Sequence, residues 1–554
     1  LNEETLLSRM TLREKIGQLL LVGFHGTDVP EELRAFIAEG RIGGVILFAR
    51  NVESPAQVAR LTASLQDIAR EAGLPPLWIS IDQEGGMVAR LTEGVALMPG
   101  NMAVAATGDP SLAYEAALVA GRELRALGIN MNYAPVLDVN NNAANPVIGV
   151  RSYGESPERV AAFGAEAIRG HAAAGVAATA KHFPGHGDTS VDSHLDLPLV
   201  GHDRARLDAV ELAPFRRAIA EGVDLIMTAH VRFPAIEPNG LPATLSPAVL
   251  TGLLRGELGF DGIITTDCME MKAIADFYGT VEASVLAVAA GADQVLVSHT
   301  LEQQRGALRA LEAAVLDGRI PAERIEAAAR RSLRLKAARG VLVSGVSGAA
   351  AAEAGIGAEL TLDLVGCEAH LAVARGISER SVTLVRNRGG VLPLQGGRTL
   401  AVTVSAAAQT IADEAVRASA GLGAALAALG LDCRDECVDA SPAEARIAEL
   451  AALAREGGWA RLAVGVYNAA FHPAQLRLVE ALQSSGVPLV VVALRNPYDL
   501  AAFPDADGCV AVYENRPLSL ASAAKALAGA IPFRGALPVS LGDAYPAGWS
   551  GGAL

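Results

Sequence analysis

The sequence is poor in aromatic residues, at 4%, and in cysteine, with five in 554 residues. Cys268, Cys367, Cys433, Cys437 and Cys509 are scattered and odd in number, which excludes a disulfide framework. Cys433 and Cys437 stand four apart without a second pair, a poor metal signal. Basic clusters are missing too. With a net charge of −15 and a pI of about 5.2, the surface argues against nucleic acid as a partner, since phosphate backbones need basic stripes. No apolar run has the length of a membrane-spanning helix, so no membrane partner is expected. No signal-peptide pattern is visible, and a cytoplasmic location is expected. Because the chain starts at Leu1 instead of Met, secretion stays open if an export signal was removed.

What is present is a large apolar fraction, 51%, against 19% charged residues. Such a chain can build a sizeable core, and its length suggests two or three domains. Eight short apolar runs alternate with helical patterns in the first part: 16–24, 43–48, 77–83, 130–139, 176–183, 223–230, 261–268 and 294–298. Continuous apolarity suits strands covered on both faces, as in a parallel sheet. Between them lie helix-spaced stretches such as 55–72, 111–127, 157–174, 204–221, 247–258 and 280–290. This number of repeats predicts a (β/α)8 barrel, with a doubly wound sheet as the alternative.

The polar residues follow a barrel's logic. Asp82, Asp138, Lys181, His182, His230, Asp267, Ser298 and His299 all fall at the C-terminal ends of runs, where a barrel builds its site. A helical, Arg-rich stretch, 302–339, closes a first domain of 1–340. Small residues over 341–365 read as a linker. A second alternating region, with runs at 381–386, 399–405, 461–467, 487–495 and 508–513, predicts a three-layer αβα sandwich over 366–554. Its best polar candidates, His472, Asn496 and Tyr498, read as loop residues of no chemical role.

The densest chemistry lies in 179–198, TAKHFPGHGDTSVDSHLDLP. His182, His186, Asp188 and His194 have the residue types of a zinc site. Pro184 and Gly185 keep the first two off a helix, however, and there is no HExxH or CxxC. A metal-dependent hydrolase is kept as an alternative that a chelator would test. Asp192 and His194 stand two apart, a spacing that points both side chains the same way in extended chain. A carboxylate beside an imidazole orients it and favours its protonated form, which suits a general acid. Asp267, in TTDCMEM, either caps the next helix or acts on substrate. A strand-end carboxylate together with an acid–base dyad is similar to the two-residue machinery of retaining glycosidases.

KHFPGHGDTSVDSH (181–194), IDQEGGMVAR (81–90), RSYG (151–154), TAH (228–230) and TTDCMEM (265–271) resemble, in order, motifs of glycoside hydrolase family 3, in its beta-N-acetylhexosaminidase branch. RNPYDL (495–500) and GALPVSL (535–541) are similar to that family's second domain. The resemblance implies that Asp267 is the nucleophile, His194 the general acid/base and Asp192 its partner. It implies that Asp82, Arg90, Arg151, Lys181 and His182 bind the sugar, with His230 a further pocket residue. His186 and Asp188 are expected to hold the loop in shape. No cofactor and no metal are implied.

Two positions depart from the family's habit: Met87 follows the glycine pair where Arg is common, and Cys268 follows the nucleophile. Cys268 is expected to make the enzyme sensitive to thiol reagents. The implied activity is exo-acting, retaining hydrolysis of beta-N-acetylglucosaminides, from muropeptides or chitin oligosaccharides. A histidine that has lost its proton is neutral and does not repel an anion. Inorganic phosphate is therefore an alternative acceptor, which would make the chain a phosphorylase. A beta-glucosidase of the same family and a non-catalytic sugar-binding protein are the other readings. Either a monomer or a dimer is expected.

Overall fold

The computed structural model describes residues 3–342, 361–405, 413–414 and 421–552. Most of the expected linker lies outside these residues. The eight apolar runs become eight parallel strands: β1 (Leu20–Val22), β2 (Gly44–Leu47), β3 (Trp78–Ile81), then, after the hairpin β4 (Gln83–Gly85) and β5 (Val88–Ala89), β6 (Met131–Asn132), β7 (Ala177–Phe183), β8 (Leu225–Thr228), β9 (Ile263–Cys268) and β10 (Gln294–Val297). They close in the order β1-β10-β9-β8-β7-β6-β3-β2. Closure decides for the barrel over the doubly wound sheet.

Both faces of these strands are buried, as their apolarity required. Leu21, Ile46, Met131, Tyr133, Leu225, Met227, Ile263 and Leu296 fill the barrel interior. The opposite faces pack against the helical mantle in a larger core. At the N-terminal end, the helix Ala322–Ala338 brings Lys336 under the barrel, where its Nζ donates to Gln18 Oε1 and Gly43 O at 2.9 and 3.1 Å.

Local sequence sets the helix starts. Ser54 and Ser156 each accept a hydrogen bond from a first-turn amide, and each is followed by a proline pre-set for the first helical position. The stretch 204–221 divides into Arg204–Ala209 and Ala213–Ala220, the second with Pro214 in its first turn. The stretch 302–339 divides into Leu301–Leu316 and Ala322–Ala338, with Gly318 at φ +83° in the break and Pro321 just before the second helix.

The second unit holds a six-stranded sheet: β11 (Thr383–Asn387), β12 (Thr399–Ser405), β13 (Cys433–Asp439), β14 (Arg461–Val466), β15 (Leu489–Ala493) and β16 (Gly508–Ala511), in the order β11-β16-β15-β14-β12-β13. β11 runs antiparallel to β16 and the other pairs are parallel. Five of these strands match apolar runs. β13, CRDECVD, does not, because as an edge strand it buries little beyond Val438.

Polar contacts tie the two units together. Arg516 Nε donates to Gly86 O at 3.0 Å, and Glu514 Oε2 accepts from Gly100 N at 3.1 Å. Asn140 Nδ2 donates to Tyr498 OH at 3.0 Å, so Tyr498 serves the seam. Gly86 has φ +57°, and a Cβ there would lie 2.5 Å from Glu514 Oε2 and 2.7 Å from Gly100 Cα. Gly86, the second glycine of IDQEGG, thus lets the second unit approach the barrel.

Candidate active site

A cleft of about 310 Å³ opens at the C-terminal ends of the barrel strands. Tyr133, Met227 and Leu296, from the interior core, form its floor. Its polar wall is a chain of charges alternating in sign. Arg151 holds Glu84 through two bonds, Nε to Oε2 at 2.9 Å and a terminal nitrogen to Oε1 at 2.8 Å. Lys181 Nζ lies 2.8 Å from both Glu84 Oε1 and Asp82 Oδ1. Arg90 stands 3.6 Å from Asp82 and 2.6 Å from Glu414 of the second unit.

Burial opposes charge on Glu84, Lys181 and Arg151, and the neighbours decide the balance. For Glu84 the Arg151 and Lys181 charges outweigh burial and hold the carboxyl far below its ordinary range. Burial would lower Lys181, but Asp82 and Glu84 outweigh it and raise the amine. Arg151 is raised in the same way by Glu84. Glu84, Lys181 and Arg151 are therefore ionised, and the wall is a fixed set of donors and acceptors fit for a polyhydroxylated ring.

β7 and its loop supply the histidines. His182 Nδ1 lies 2.7 Å from Oδ2 of Asp138, whose Oδ1 accepts the backbone N–H of His186 at the same distance. Burial works against the Asp138 charge, but His182 and His186 outweigh it and hold the carboxyl low. His186 faces away, with Nδ1 at 2.8 Å from Thr189 Oγ1 and Nε2 at 3.0 Å from Ser193 Oγ. Asp188 pairs with His202 at 2.6 Å. His194 lines the cleft, and its Nδ1 lies 2.7 Å from Asp192 Oδ1. The four side chains weighed as a zinc site thus have separate partners: His182 on Asp138, His186 on Thr189 and Ser193, Asp188 on His202, and His194 on Asp192.

Asp267, at the end of β9, lines the same cleft as His194. Its Oδ1 accepts the Cys268 backbone N–H at 2.7 Å. Burial pushes this carboxyl up, but His230, His182 and His194 outweigh it and leave it below the ordinary carboxylate range. An ionised carboxylate thus faces an imidazole whose Nδ1 is committed to another acid.

The structure places Asp82, Arg90, Arg151, Lys181, His182, His194 and Asp267 around one cleft, with Asp192 directly behind His194. His230 does not line the cleft. It sits behind β9, Nε2 at 2.9 Å from Cys268 O and Nδ1 at 2.8 Å from Thr244 Oγ1, and burial lowers its pKa. Glu84 and Glu414 were not singled out from the sequence. Glu84 had a readable signal, an acid two residues from Asp82 on the same strand end. Glu414 had none, being 324 residues from its partner. Met87 is buried among residues of the second core. Its carbonyl accepts Glu414 N at 3.1 Å, so this departure lies at the seam between the units.

The model of the glycosyl hydrolase family 3 N-terminal domain matches residues 11–335, more than half of the chain. The chain belongs to glycosyl hydrolase family 3. As a family 3 member it is 31% identical, over 98% of its own length and 96% of the relative's, to a beta-N-acetylglucosaminidase/beta-glucosidase of Cellulomonas fimi. It is 41% identical to beta-hexosaminidase A of Pseudoalteromonas piscicida over 52% of its length, and that match spans about half, 54%, of the relative. Among solved structures, a family 3 beta-N-acetylglucosaminidase of Paenibacillus sp. str. FPU-7 superposes with a TM-score of 0.90 at 49% identity, covering 96% of this chain and 99% of that one. These relatives mark the chain as a glycoside hydrolase of the hexosaminidase branch, with the barrel and sandwich architecture of family 3.

Proposed function

We propose that the chain is an exo-acting, retaining beta-N-acetylglucosaminidase that forms a covalent glycosyl-enzyme on Asp267. The observation that carries this reading is that Asp267 and His194 line one cleft while Asp192 occupies His194 Nδ1. The other ring nitrogen, Nε2, is left for the reacting atoms. In the first step the Asp267 carboxylate bonds to the anomeric carbon as the glycosidic C–O bond breaks, and Nε2–H protonates the leaving oxygen. In the second step the neutral imidazole takes a proton from water, whose oxygen displaces Asp267 and releases the sugar with its configuration retained.

The cleft's volume is at the small end of the range for ligand pockets, about 300–1,000 Å³, which suits one sugar unit over a chain. Asp82, Arg90, Arg151, Lys181 and His182 hold that unit in this reading. His194 is neutral after its first proton transfer, which favours substrates with a nearby carboxylate, such as muropeptides, alongside chitin oligosaccharides. It also admits inorganic phosphate as the second-step acceptor, giving a sugar 1-phosphate.

The test is hydrolysis of nitrophenyl beta-N-acetylglucosaminide and of the matching glucoside, each with and without phosphate. A preference for the N-acetyl sugar supports the reading, and a phosphate-dependent rate with sugar 1-phosphate as product moves the natural reaction to phosphorolysis. Turnover of the glucoside alone would overturn it. D267N should lose turnover and still bind sugar.

A further inference from the structure

We propose that Asp188, His202 and Glu211 form a binding site for one divalent transition-metal ion, of the zinc or cobalt class. The site lies at the outer end of the loop that carries Asp192 and His194, and it is separate from the cleft. Among the described residues, one donor atom from each of the three lies within 4.8 Å of the other two. None of the three lines the cleft.

The chemistry of the group is that of a cation site short of charge. Glu211 has a side chain only 4% exposed. Its Oε1 meets Arg206 at 3.3 Å, while Oε2 is buried with no hydrogen-bond partner. A carboxylate oxygen is costly to bury unmatched. Asp188 contributes a second negative charge, 3.6 Å from the same guanidinium. One Arg thus faces two carboxylates, and a dication would balance them. Arg206, with its side chain 34% exposed, has solvent to turn into.

One imidazole and two carboxylates, with water in the fourth position, are a donor set that zinc accepts at about 2.0–2.2 Å. His202 Nε2 and Asp188 Oδ2 are joined by a hydrogen bond of 2.6 Å, with its proton between them. On binding, the metal takes that proton's place, the two donors move apart, Glu211 Oε2 closes in, and the proton goes to solvent. His202 and Asp188 are partly exposed, at 35% and 22%, which leaves room for metal entry and for the water ligand.

The placement gives the ion a consequence. Asp188 and His202 are the two ends of a segment with the Asp192–His194 pair between them, and Glu211 follows the next short helix. An ion held by all three would fasten both ends of that segment. Amide exchange across 189–201 would then slow. The site itself does not depend on the activity proposed above.

The experiment is a titration of Zn²⁺ alone, and of Co²⁺ alone, into chelator-stripped full-length chain. It is read by calorimetry, by cobalt d–d absorption and by amide exchange. One equivalent should bind, with slowed exchange over 189–201. H202Q and D188N, which differ in their risk to folding and are checked by circular dichroism, should each lose that equivalent and the exchange effect, while H194A should keep both. Absence of binding at tenth-millimolar metal would overturn the proposal. So would binding that H194A abolishes, which would put the ion in the cleft, or binding that survives both H202Q and D188N.

Discussion

The guanidinium of Arg90 and the carboxylate of Glu414 meet at 2.6 Å across the seam between the barrel and the second unit. The second sheet domain therefore supplies part of the cleft wall. Arg90 is 7% exposed and stands between Asp82 and Glu414, so its position depends on both. Replacing Glu414 with Gln removes the charge and keeps the shape. A charged hydrogen bond is worth about 1.5–3 kcal/mol, so kcat/KM should fall by roughly tenfold or more, through KM, as Arg90 loses one of its anchors. Steady-state kinetics on the nitrophenyl substrate decide it; an unchanged KM would mean that Arg90 is held without Glu414.

Asp192 should act through His194. Its carboxylate accepts both the ring nitrogen and the backbone N–H of His194, at 2.7 and 2.9 Å. Burial raises this carboxyl, but its hydrogen bond and attraction to His194 outweigh it and keep it ionised. D192N exchanges an acceptor for a donor and disfavours the imidazolium. General acid–base catalysis contributes about 10²–10⁴-fold, and the loss should fall in that range for a poor leaving group. For a dinitrophenyl leaving group, which departs without a proton, the loss should be much smaller. Equal losses on both would remove His194 from the role of acid.

The barrel was legible because all eight strands are buried on both faces and so read as apolar runs. β13 was not, because an edge strand presents polar residues to solvent. In the site, residues clustered along β7 and its loop could be read from one stretch of sequence. Glu414 could not, since its contact joins residues 324 apart and carries no local pattern. The pairing of Asp188 with His202 escaped for a related reason: neighbours in a loop need not converge, and a residue 14 positions on can take the contact.

The surroundings of Cys268 set the pH at which its thiol should react. The side chain lines the cleft, but burial pushes its thiol up to about 11. Only a thiolate attacks an alkylating reagent efficiently, so at neutral pH iodoacetamide should inactivate the enzyme slowly. The rate should rise about tenfold per pH unit through pH 8–10, since the thiolate fraction does. Rapid inactivation at pH 7, absent in C268A, would show that the thiol is more acidic than its burial implies.

Acid should weaken the fold in two successive windows. His171 and His186 are buried and held neutral, each with its pKa lowered by burial from 6.5 to about 4. His171 Nδ1 lies 3.0 Å from Ala167 O and Nε2 lies 3.0 Å from Asn132 Nδ2, so a proton on Nε2 would cost the Asn132 bond. Between pH 6.5 and about 4 the unfolded chain binds these protons and the folded chain does not, so stability falls as pH falls. Below that, Glu84 and Asp138 add a loss of the same sign, although here it is the charged form that the fold favours. Their folded values are depressed, so the stability they add is present above the unfolded carboxyl range and is lost as pH falls from that range through the lower folded values. Each proton taken up only by the unfolded chain tilts stability by about 1.4 kcal/mol per pH unit. Urea midpoints measured from pH 7 to pH 4.5 should therefore decline, and H171Q should decline less steeply by about one proton's worth, whatever its stability at pH 7. An identical slope in H171Q would mean that His171 titrates alike in both states and that its burial does not govern it.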